Sequence, residues 1–217
     1  LIKVKVPRKS GRGIDSNLRI QVPKGSSVNI GTVSADIQVN DVEGEQSLHT
    51  VSGDVETKYT GANLEAESVS GDVVVSGHGE TGETRASTVS GNVRVFKVAG
   101  EVSAETVSGD VLVEAGMISR AELSAVSGEV FLRATLDRGG KIIADTVNGD
   151  IGIEIEGEIS AEIEVDTLNG DINNCFGPKA QRISKYGPGV ELEFTEGRGD
   201  GQVRVSTMNG DIRLCDR

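Results

Sequence analysis

Short stretches of this chain alternate between apolar and polar residues, and the alternation restarts at a regular interval. The phrase Val-Ser-Gly-Asp-Val occupies 51–55, 69–73 and 107–111, and variants of it recur as far as 208–212. An apolar period of two predicts half-buried β-strands, whereas no segment sustains the 3.6-residue period of an amphipathic helix. Units that recur every 18–21 residues are typical of a solenoid, in which each repeat packs against its neighbours.

One glycine marks each copy of the repeat, so every position can be numbered relative to it. The motif glycines are Gly53, Gly71, Gly91, Gly109, Gly128, Gly149, Gly170 and Gly210, and Ala35 stands in their place in the first copy. We expect each glycine to occupy a corner with positive φ, where a Cβ atom would clash. Ala35 is the exception, which we interpret as a relaxed end of the solenoid.

Five columns of the aligned repeats are apolar, and we predict that they form continuous stacks inside the solenoid. Column −2 contains Val33, Val51, Val69, Val89, Val107, Val126, Val147, Leu168 and Met208. Column +2 contains Ile37, Val55, Val73, Val93, Val111, Val130, Ile151, Ile172 and Ile212. Columns −5, +4 and, more weakly, −7 are also apolar, as at Leu48, Val75 and Val102. Because the alternation changes phase between columns −5 and −2, we place a corner between them.

Two columns of hydroxyl residues flank column −2, and we expect both to point outward. Column −3 contains Thr32, Thr50, Ser68, Thr88, Thr106, Thr146, Thr167 and Thr207, and column −1 contains Ser34, Ser52, Ser70, Ser90, Ser108 and Ser127. Ordinary β propensity on a solvated strand accounts for such columns. A minor alternative is an ice-binding face, because a flat Thr-x-Ser array resembles the surface of ice-binding β-helices.

Column +1 is acidic and should be exposed. It contains Asp36, Asp54, Asp72, Asn92, Asp110, Glu129, Asp150, Asp171 and Asp211. Carboxylates stacked about 5 Å apart repel each other, so their charge must be offset. We favour capping by backbone N–H groups and solvent. The alternative is Ca²⁺ bound between coils by carboxylate oxygens. The candidate ligands are Asp54, Asp72, Asp110, Asp150 and Asp171.

The repeats predict one all-β domain over 1–217, a single-stranded parallel β-helix of about nine coils with repeats of 18–21 residues. We assign 1–27 to an irregular N-terminal cap or first coil, 28–172 to regular coils, and 202–217 to the last coil. Segment 173–201 is either a loop excursion or a degenerate coil, because 40 residues separate the last two motif glycines.

The two cysteines distinguish these alternatives. Cys175 and Cys215 each follow a motif glycine by five residues. If 173–201 is an excursion, the cysteines lie in adjacent coils with Cα atoms about 5 Å apart, within disulfide range. If a whole coil intervenes, a separation of about 10 Å excludes the bond. The sequence leaves both open, although Val190 to Phe194 alternate again and resemble a returning strand.

The phrases Thr-Val-Ser-Gly-Asp-Val and Thr-Val-Asn-Gly-Asp-Ile resemble a bacterial adhesin-like family of β-strand-repeat proteins, a domain of unknown function. The resemblance covers about 28–217 and includes Lys185 to Gly189. It implies a right-handed parallel β-helix, export from a bacterial cell, and a periplasmic or surface location. We expect any signal or anchor to lie outside this sequence, which begins with Leu1.

Charge and hydropathy restrict the partners. The formal net charge is −12, a field that repels nucleic acid and anionic lipid. No apolar run approaches the roughly 20 residues needed to span a bilayer, so we expect no direct insertion into a membrane. A protein or a surface glycan remains as the expected partner.

Catalysis has little support in the sequence. The only histidines are His49 and His78, and no metalloprotease, nucleophile-elbow or phosphate-loop motif is present. We interpret His78, between two glycines, as an exposed turn residue. Some β-helices are polysaccharide lyases or hydrolases, but aromatic residues, the usual sugar platforms, make up only 3% of the chain. We expect no catalytic residues and no cofactor, with Ca²⁺ as the single candidate.

The least repetitive parts of the chain are the candidates for a specific partner site. They contain Lys185 and Tyr186 in a loop, and Arg198 and Asp200 in an Arg-Gly-Asp tripeptide within a glycine-rich turn. We therefore expect a non-enzymatic, exported binding or scaffold module of adhesin-like type. The alternative is a carbohydrate-active β-helix enzyme, and a cation-binding or ice-binding face is a minor one.

Overall fold

The computed structural model describes residues 17–61, 63–183 and 188–216, and all of its regular structure is β-strand. The strands are β1 Val28–Ser34, β2 Ile37–Val42, β3 Gln46–Ser52, β4 Val55–Tyr59, β5 Asn63–Ser70, β6 Val73–Ser76, β7 Thr81–Ser90, β8 Val93–Ser108, β9 Val111–Ser127, β10 Val130–Asn148, β11 Ile151–Ile155, β12 Ala161–Asn169, β13 Ile172–Asn174, β14 Gln181–Arg182, β15 Val190–Glu196, β16 Gly201–Asn209 and β17 Ile212–Asp216. Part of the expected N-terminal cap, 1–16, lies outside the described residues.

Each coil consists of a strand that ends at the motif corner and a strand that begins after it. Equivalent strands of successive coils pair in parallel, so that Val73, Val93, Val111 and Val130 form one continuous row. The result is a β-solenoid of about seven consecutive turns with a spacing near 19 residues. The predicted fold class is confirmed, and the two remaining motif corners extend the stack in an unexpected order.

The interior is built from columns −7, −5, −3, +2 and +4. Buried members of columns −5 and +2 include Leu48, Leu123, Val111 and Ile212, all at most 1% exposed. The prediction for these columns is confirmed. Small and β-branched side chains meet across the narrow bore, which explains how the core is filled with so few aromatic residues.

Columns −3 and −2 have exchanged the faces that we predicted. Thr50, Thr88 and Thr106 are 4–5% exposed, whereas Val69 and Val107 are both 45% exposed. Both predictions are therefore wrong. The strict alternation of columns −7, −5 and −3 continues to the end of the strand, so column −2 must point outward. The change of phase lies across column −1 and the glycine, not between columns −5 and −2 as predicted.

The corner glycines allow successive coils to approach closely. Gly109 has φ +139°, and the expectation of positive φ also holds at Gly53, Gly71, Gly91, Gly128, Gly149 and Gly210. A Cβ atom on Gly109 would overlap the carbonyl group of Gly91 in the next coil. Glycine is therefore required at this position for both the backbone conformation and the contact between coils.

The last two coils are interleaved. β16 pairs in parallel with β10 on one side and with β12 on the other, and β17 lies between β11 and β13 in the same way. The coil that comes last in the chain thus fills a slot between its two predecessors. The corner at Gly210 stacks between those at Gly149 and Gly170. The sequence predicts about nine coils, whereas the solenoid has about seven consecutive turns, and the spatial order of the last motif corners departs from their sequence order.

Segment 173–201 is a loop excursion that returns as a strand. β15 pairs antiparallel with β12, and β14 pairs antiparallel with β15, so the segment covers the outer edge of β12. This arrangement places Cys175 and Cys215 in adjacent coils, where they form a disulfide with a Cα–Cα distance of 4.8 Å. The alternative in which a degenerate coil separates the cysteines is not what the structure shows.

Candidate functional site

A row of exposed apolar side chains runs along the outer surface, and we call it the valine ladder. In spatial order it consists of Val33, Val51, Val69, Val89, Val107, Val126, Val147, Met208 and Leu168. The exposed fraction of these residues ranges from 37% to 71%. Scattered exposed apolar residues are normal, but a contiguous row of this length marks a candidate binding surface.

A shallow groove runs beside the valine ladder. It has a volume of about 590 Å³ and is lined from Gly31 to Val126, with Val51, Val89 and Val107 along one wall. The parallel strands hold successive ladder residues about 4.8 Å apart, so the groove is straight and regular. Such a surface suits an elongated ligand better than a compact small molecule.

Column +1 lies on the far side of the corner and caps the backbone, as we favoured. The Asp54 carboxylate accepts a 2.8 Å hydrogen bond from the backbone N–H of Asp72, and Asp110 accepts one of 2.9 Å from Glu129. Asp150 and Asp211 do the same for the coils above them. Six of the eight carboxylates, those of Asp36, Asp54, Asp72, Asp110, Asp150 and Asp211, thus meet a backbone donor of the neighbouring coil, which offsets part of the repulsion along the column.

Asp72 has an additional cationic partner. Backbone donation from Asn92, helped by the Arg94 guanidinium 3.0 Å away, lowers the pKa of Asp72. This pattern is that of a capped and paired carboxylate rather than of a metal ligand. Among the residues that the structure describes, no group of three or more His, Cys, Asp or Glu side chains is arranged to hold a metal ion. The five candidate Ca²⁺ ligands lie one above another at separate corners.

Column −4 forms the other border of the valine ladder, and four of its nine residues are acidic. It includes Glu67, Glu105, Asp145 and Asp166, with His49 as its one cationic candidate. His49 Nδ1 lies 3.0 Å from the Glu67 carboxylate. At the C-terminal end, partial shielding from solvent and the neighbouring carboxylates of Glu164, Asp145 and Glu191 raise the pKa of Asp166. The ladder therefore has carboxylates of column −4 on one side and, beyond column −1 and the corner glycine, those of column +1 on the other.

The two histidines do not converge with other titratable groups into a catalytic arrangement. His78 is exposed, as expected, and its Nδ1 donates to the carbonyl of Tyr59. His49 lies on a different face of the coil, where Ser47 and Glu67 are its hydrogen-bonding neighbours.

The expected partner loop is only partly described. Lys185 and Tyr186 lie outside the described residues. Asp200 is engaged by Arg198 at 3.0 Å, by Arg138 at 3.5 Å and by the Ser160 hydroxyl at 3.3 Å. Although desolvation opposes it, the two arginines lower the pKa of Asp200. The arginine and the aspartate of the Arg-Gly-Asp tripeptide therefore form an ion pair with each other.

The composition of column −2 predicts a buried position and so hides the valine ladder, although the strand pattern contains a signal for it. Columns −7, −5 and −3 share one parity, so a single uninterrupted strand would have placed −3 inward and −2 outward. The predominance of valine in column −2 outweighed that argument, because valine is more often buried than threonine.

Within residues 17–61, 63–183 and 188–216, no helix is long and apolar enough to cross a membrane. A comparison with curated proteins and one with solved structures each returned no match. A family model described as Toastrack DUF4097 matches the chain twice, over 1–106 and 98–215. The two matches together span nearly all of the repeats, and the family is a solenoid domain whose function is undefined. This chain therefore belongs to the Toastrack DUF4097 family.

Proposed function

We propose that this protein is a non-enzymatic binding or scaffold module of a bacterial cell envelope or surface, and that the valine ladder is its binding face. The observation that carries the proposal is the ladder itself, a continuous apolar row in which Val89 and Val107 are 46% and 45% exposed. A folded chain leaves such a row uncovered at a cost in hydration free energy, which a partner would recover.

The solenoid holds this face rigid. Column −3 hydroxyls and column +1 carboxylates bind the neighbouring coil on either side of the ladder, for example from Thr88 to the Gly71 carbonyl at 2.9 Å. A partner that docks on the ladder loses little free energy to ordering of this surface, because the surface is already in its bound shape.

The chemistry of the outer faces favours binding over catalysis. A catalytic site needs unlike groups that converge, with pKa values shifted for proton transfer. The shifted carboxylates that the structure describes, Asp72, Asp166 and Asp200, each have local backbone, cation or cross-strand causes. The valine ladder and the columns beside it instead repeat the same residue types from coil to coil, which suits contact with an elongated partner.

An exported location is part of the proposal. The Cys175–Cys215 disulfide supports it, because such bonds persist in oxidising compartments outside the bacterial cytoplasm. A net charge of −12 supports a protein or glycan partner over nucleic acid.

A retention experiment tests the proposal. The immobilised protein is incubated with envelope extract, beside a variant in which Val69, Val89 and Val107 are each changed to Thr. The matched control is Val74→Thr, which makes the same change on a strand beyond the corner. We expect a partner that the wild type and the control retain and the triple variant does not. Equal retention by all three proteins would reject the ladder as the binding face.

A screen for turnover tests the enzymatic alternative. Polysaccharides are incubated with the protein with and without Ca²⁺, and reducing ends and unsaturated products are measured. We expect no release above buffer. Reproducible turnover that disappears on substitution of a single carboxylate would replace the binding proposal with the enzymatic one.

A further inference from the structure

We propose that the valine ladder binds one amphipathic α-helix with lysine or arginine on both sides of its apolar stripe, lying along the solenoid axis. This inference rests on the proposed function, since it names the partner chemistry of the same face. It follows from two independent properties of the ladder, the charge of its borders and the spacing of its rungs.

The charge of the borders selects a basic partner. In the six coils of the groove, column +1 contributes five carboxylates and column −4 contributes two, Glu67 and Glu105. Neither column contains a lysine or an arginine, and His49 is already 3.0 Å from Glu67. A partner with an apolar centre and cationic margins therefore buries the valines and places its charges beside both rows of carboxylates.

The width of the ladder fits a helix. An α-helix with its side chains is about 10–12 Å across, and a residue two positions along a strand lies about 6.6 Å away. A helix centred on column −2 thus covers about 5–6 Å on each side, which ends just short of column −4 and, on the other side, reaches over column −1 toward the corner. Long lysine and arginine side chains reach past the helix edge to the carboxylates while their aliphatic parts cover apolar surface.

The spacing of the rungs also favours a helix over a strand. Ladder residues recur about every 4.8 Å along the axis. One turn of an α-helix rises about 5.4 Å, so successive apolar turns stay close to successive rungs over several coils. An extended peptide that runs along the axis advances about 6.7 Å between side chains on one face, and falls out of register after two or three rungs.

A second copy of this chain fits the ladder poorly. Two ladders packed face to face would bring the column +1 carboxylates of each copy, such as Asp54 and Asp110, toward acidic borders of the other. Opposed like charges at a desolvated interface disfavour such a pairing. An anionic lipid surface is disfavoured for the same reason.

The groove sets the length of the helix. It extends over the coils from Gly31 to Val126, and five intervals between these coils span roughly 24 Å. A helix covers that distance with about 16 residues. We therefore expect a partner segment of four to five turns, with its apolar residues at spacings of three and four.

Three synthetic peptides of about 18 residues test the inference. The first has leucine at amphipathic spacing and lysine elsewhere, the second replaces each lysine by glutamate, and the third contains the residues of the first in an order without amphipathic spacing. Binding is measured by fluorescence anisotropy and helicity by circular dichroism. We expect only the first peptide to bind, to gain helicity on binding, and to bind more weakly as salt concentration rises.

The protein variants then locate the binding face. The triple change of Val69, Val89 and Val107 to Thr should weaken binding of the first peptide roughly tenfold or more, whereas Val74→Thr should leave it unchanged. Binding that the triple variant retains, or that the non-amphipathic peptide reproduces, overturns the inference.

Sedimentation of the free protein provides a further check. If the free protein is a dimer and the triple variant is a monomer, the occupant of the ladder is a second copy of the chain.

The outcomes separate this inference from the function on which it rests. If the first peptide fails to bind while an envelope partner is still retained through Val69, Val89 and Val107, the helix is wrong and the binding face stands. If no partner of any kind depends on these residues, both the helix and the valine ladder as a binding face are wrong.

Discussion

The hydroxyl group of Thr106 donates a 3.0 Å hydrogen bond to the backbone carbonyl of Gly91 in the neighbouring coil. The same bond recurs from Thr50, Ser68, Thr88, Thr146, Thr167 and Thr207 to the corner carbonyl of an adjacent coil. A buried hydroxyl is costly unless it is hydrogen-bonded, and the corner supplies the acceptor in coil after coil. This contact is what permits column −3 to lie in the core.

Ala125 occupies column −3 of one coil and has no hydroxyl to donate to the Gly109 carbonyl. Its side chain is 3% exposed, in the same environment as the threonines. We expect Ala125→Thr to stabilise the protein by about 1 kcal/mol, the typical net value of one hydrogen bond. Urea unfolding followed by circular dichroism measures the change. A destabilised variant would mean that the coil lacks space for the added atoms.

Thr106→Val is the complementary change, since it preserves the shape of the side chain and removes the donor. We expect a loss of about 1–2 kcal/mol in the free energy of unfolding, because the Gly91 carbonyl loses its hydroxyl partner. Thr81→Val is the control, because Thr81 is exposed and is not paired with a corner carbonyl. Equal effects of the two changes would show that the hydrogen bond between coils contributes nothing.

The sequence allowed the fold class, the period and columns −5, +2 and +4 to be predicted, because a repeat multiplies a weak apolar signal. The sequence pattern does not reveal which of Thr106 and Val107 faces inward. Both are β-branched with similar shape, and the buried hydroxyl is favoured only by a carbonyl that the folded corner creates. The candidate binding face was consequently assigned to the core.

The interleaved order of the last coils was equally hidden, because near-identical repeats can stack in more than one order. One trace of it existed in column −1, where serine gives way to asparagine in three copies. In the structure Asn209 lies between Asn148 and Asn169 and hydrogen-bonds to both, with distances of 2.9 Å. The three asparagines therefore form one ladder, an arrangement that favours these coils as neighbours.

Val107 and Val111 are the first and last residues of one Val-Ser-Gly-Asp-Val motif but have opposite exposure, 45% and 1%. We expect Val111→Asp to prevent folding of the central coils, because an unpaired buried carboxylate costs many kcal/mol. Val107→Asp should cost at most about 1 kcal/mol, mainly through repulsion from the acidic columns. Calorimetry of both variants distinguishes the faces. Equally severe effects of the two changes would favour the prediction from the sequence that column −2 is buried as well as column +2.

The order of the coils can be tested by engineered cysteine pairs. Positions 148 and 209 lie on paired strands, so their Cα atoms are about 4.8 Å apart and suit a disulfide. Positions 148 and 169 are separated by two rungs, about 10 Å, and do not. We expect Asn148→Cys with Asn209→Cys to cross-link on oxidation, and Asn148→Cys with Asn169→Cys to remain reduced. Peptide mapping by mass spectrometry identifies the bonds, and the opposite result would place the coils in sequence order.

The Cys175–Cys215 bond fixes the interleaved coil to its outer neighbour. We expect neither cysteine to react with an alkylating reagent until a reductant is added, as measured by intact mass. Because 40 residues separate the pair, Cys175→Ser should lower the free energy of unfolding by about 3–4 kcal/mol. Reduced wild-type protein should match the variant. Two alkylated thiols in protein prepared without reductant would contradict the bond.

Asp166 provides a prediction about pH, because it lies directly opposite Glu191 on the antiparallel strands β12 and β15. Although its side chain is exposed, partial shielding by neighbouring strands raises its pKa, and the charges of Glu164, Asp145 and Glu191 add to the effect. The folded protein thus holds this proton more tightly than the unfolded chain does. The resulting stabilisation is complete below the unfolded pKa, near 4, and is lost as pH rises through the folded value.

At neutral pH, Asp166 is ionised and its repulsion with Glu191 opposes folding. We therefore expect Asp166→Asn to stabilise the protein at pH 7 by about 0.5 kcal/mol, a small value because solvent screens an exposed pair. The gain should shrink toward zero as pH falls below about 4, where wild-type Asp166 becomes protonated. Thermal unfolding of both proteins across this pH range measures the difference, with Glu158→Gln in an exposed turn as the control. A gain that is independent of pH would show that the asparagine acts through packing or hydrogen bonding rather than through the lost charge.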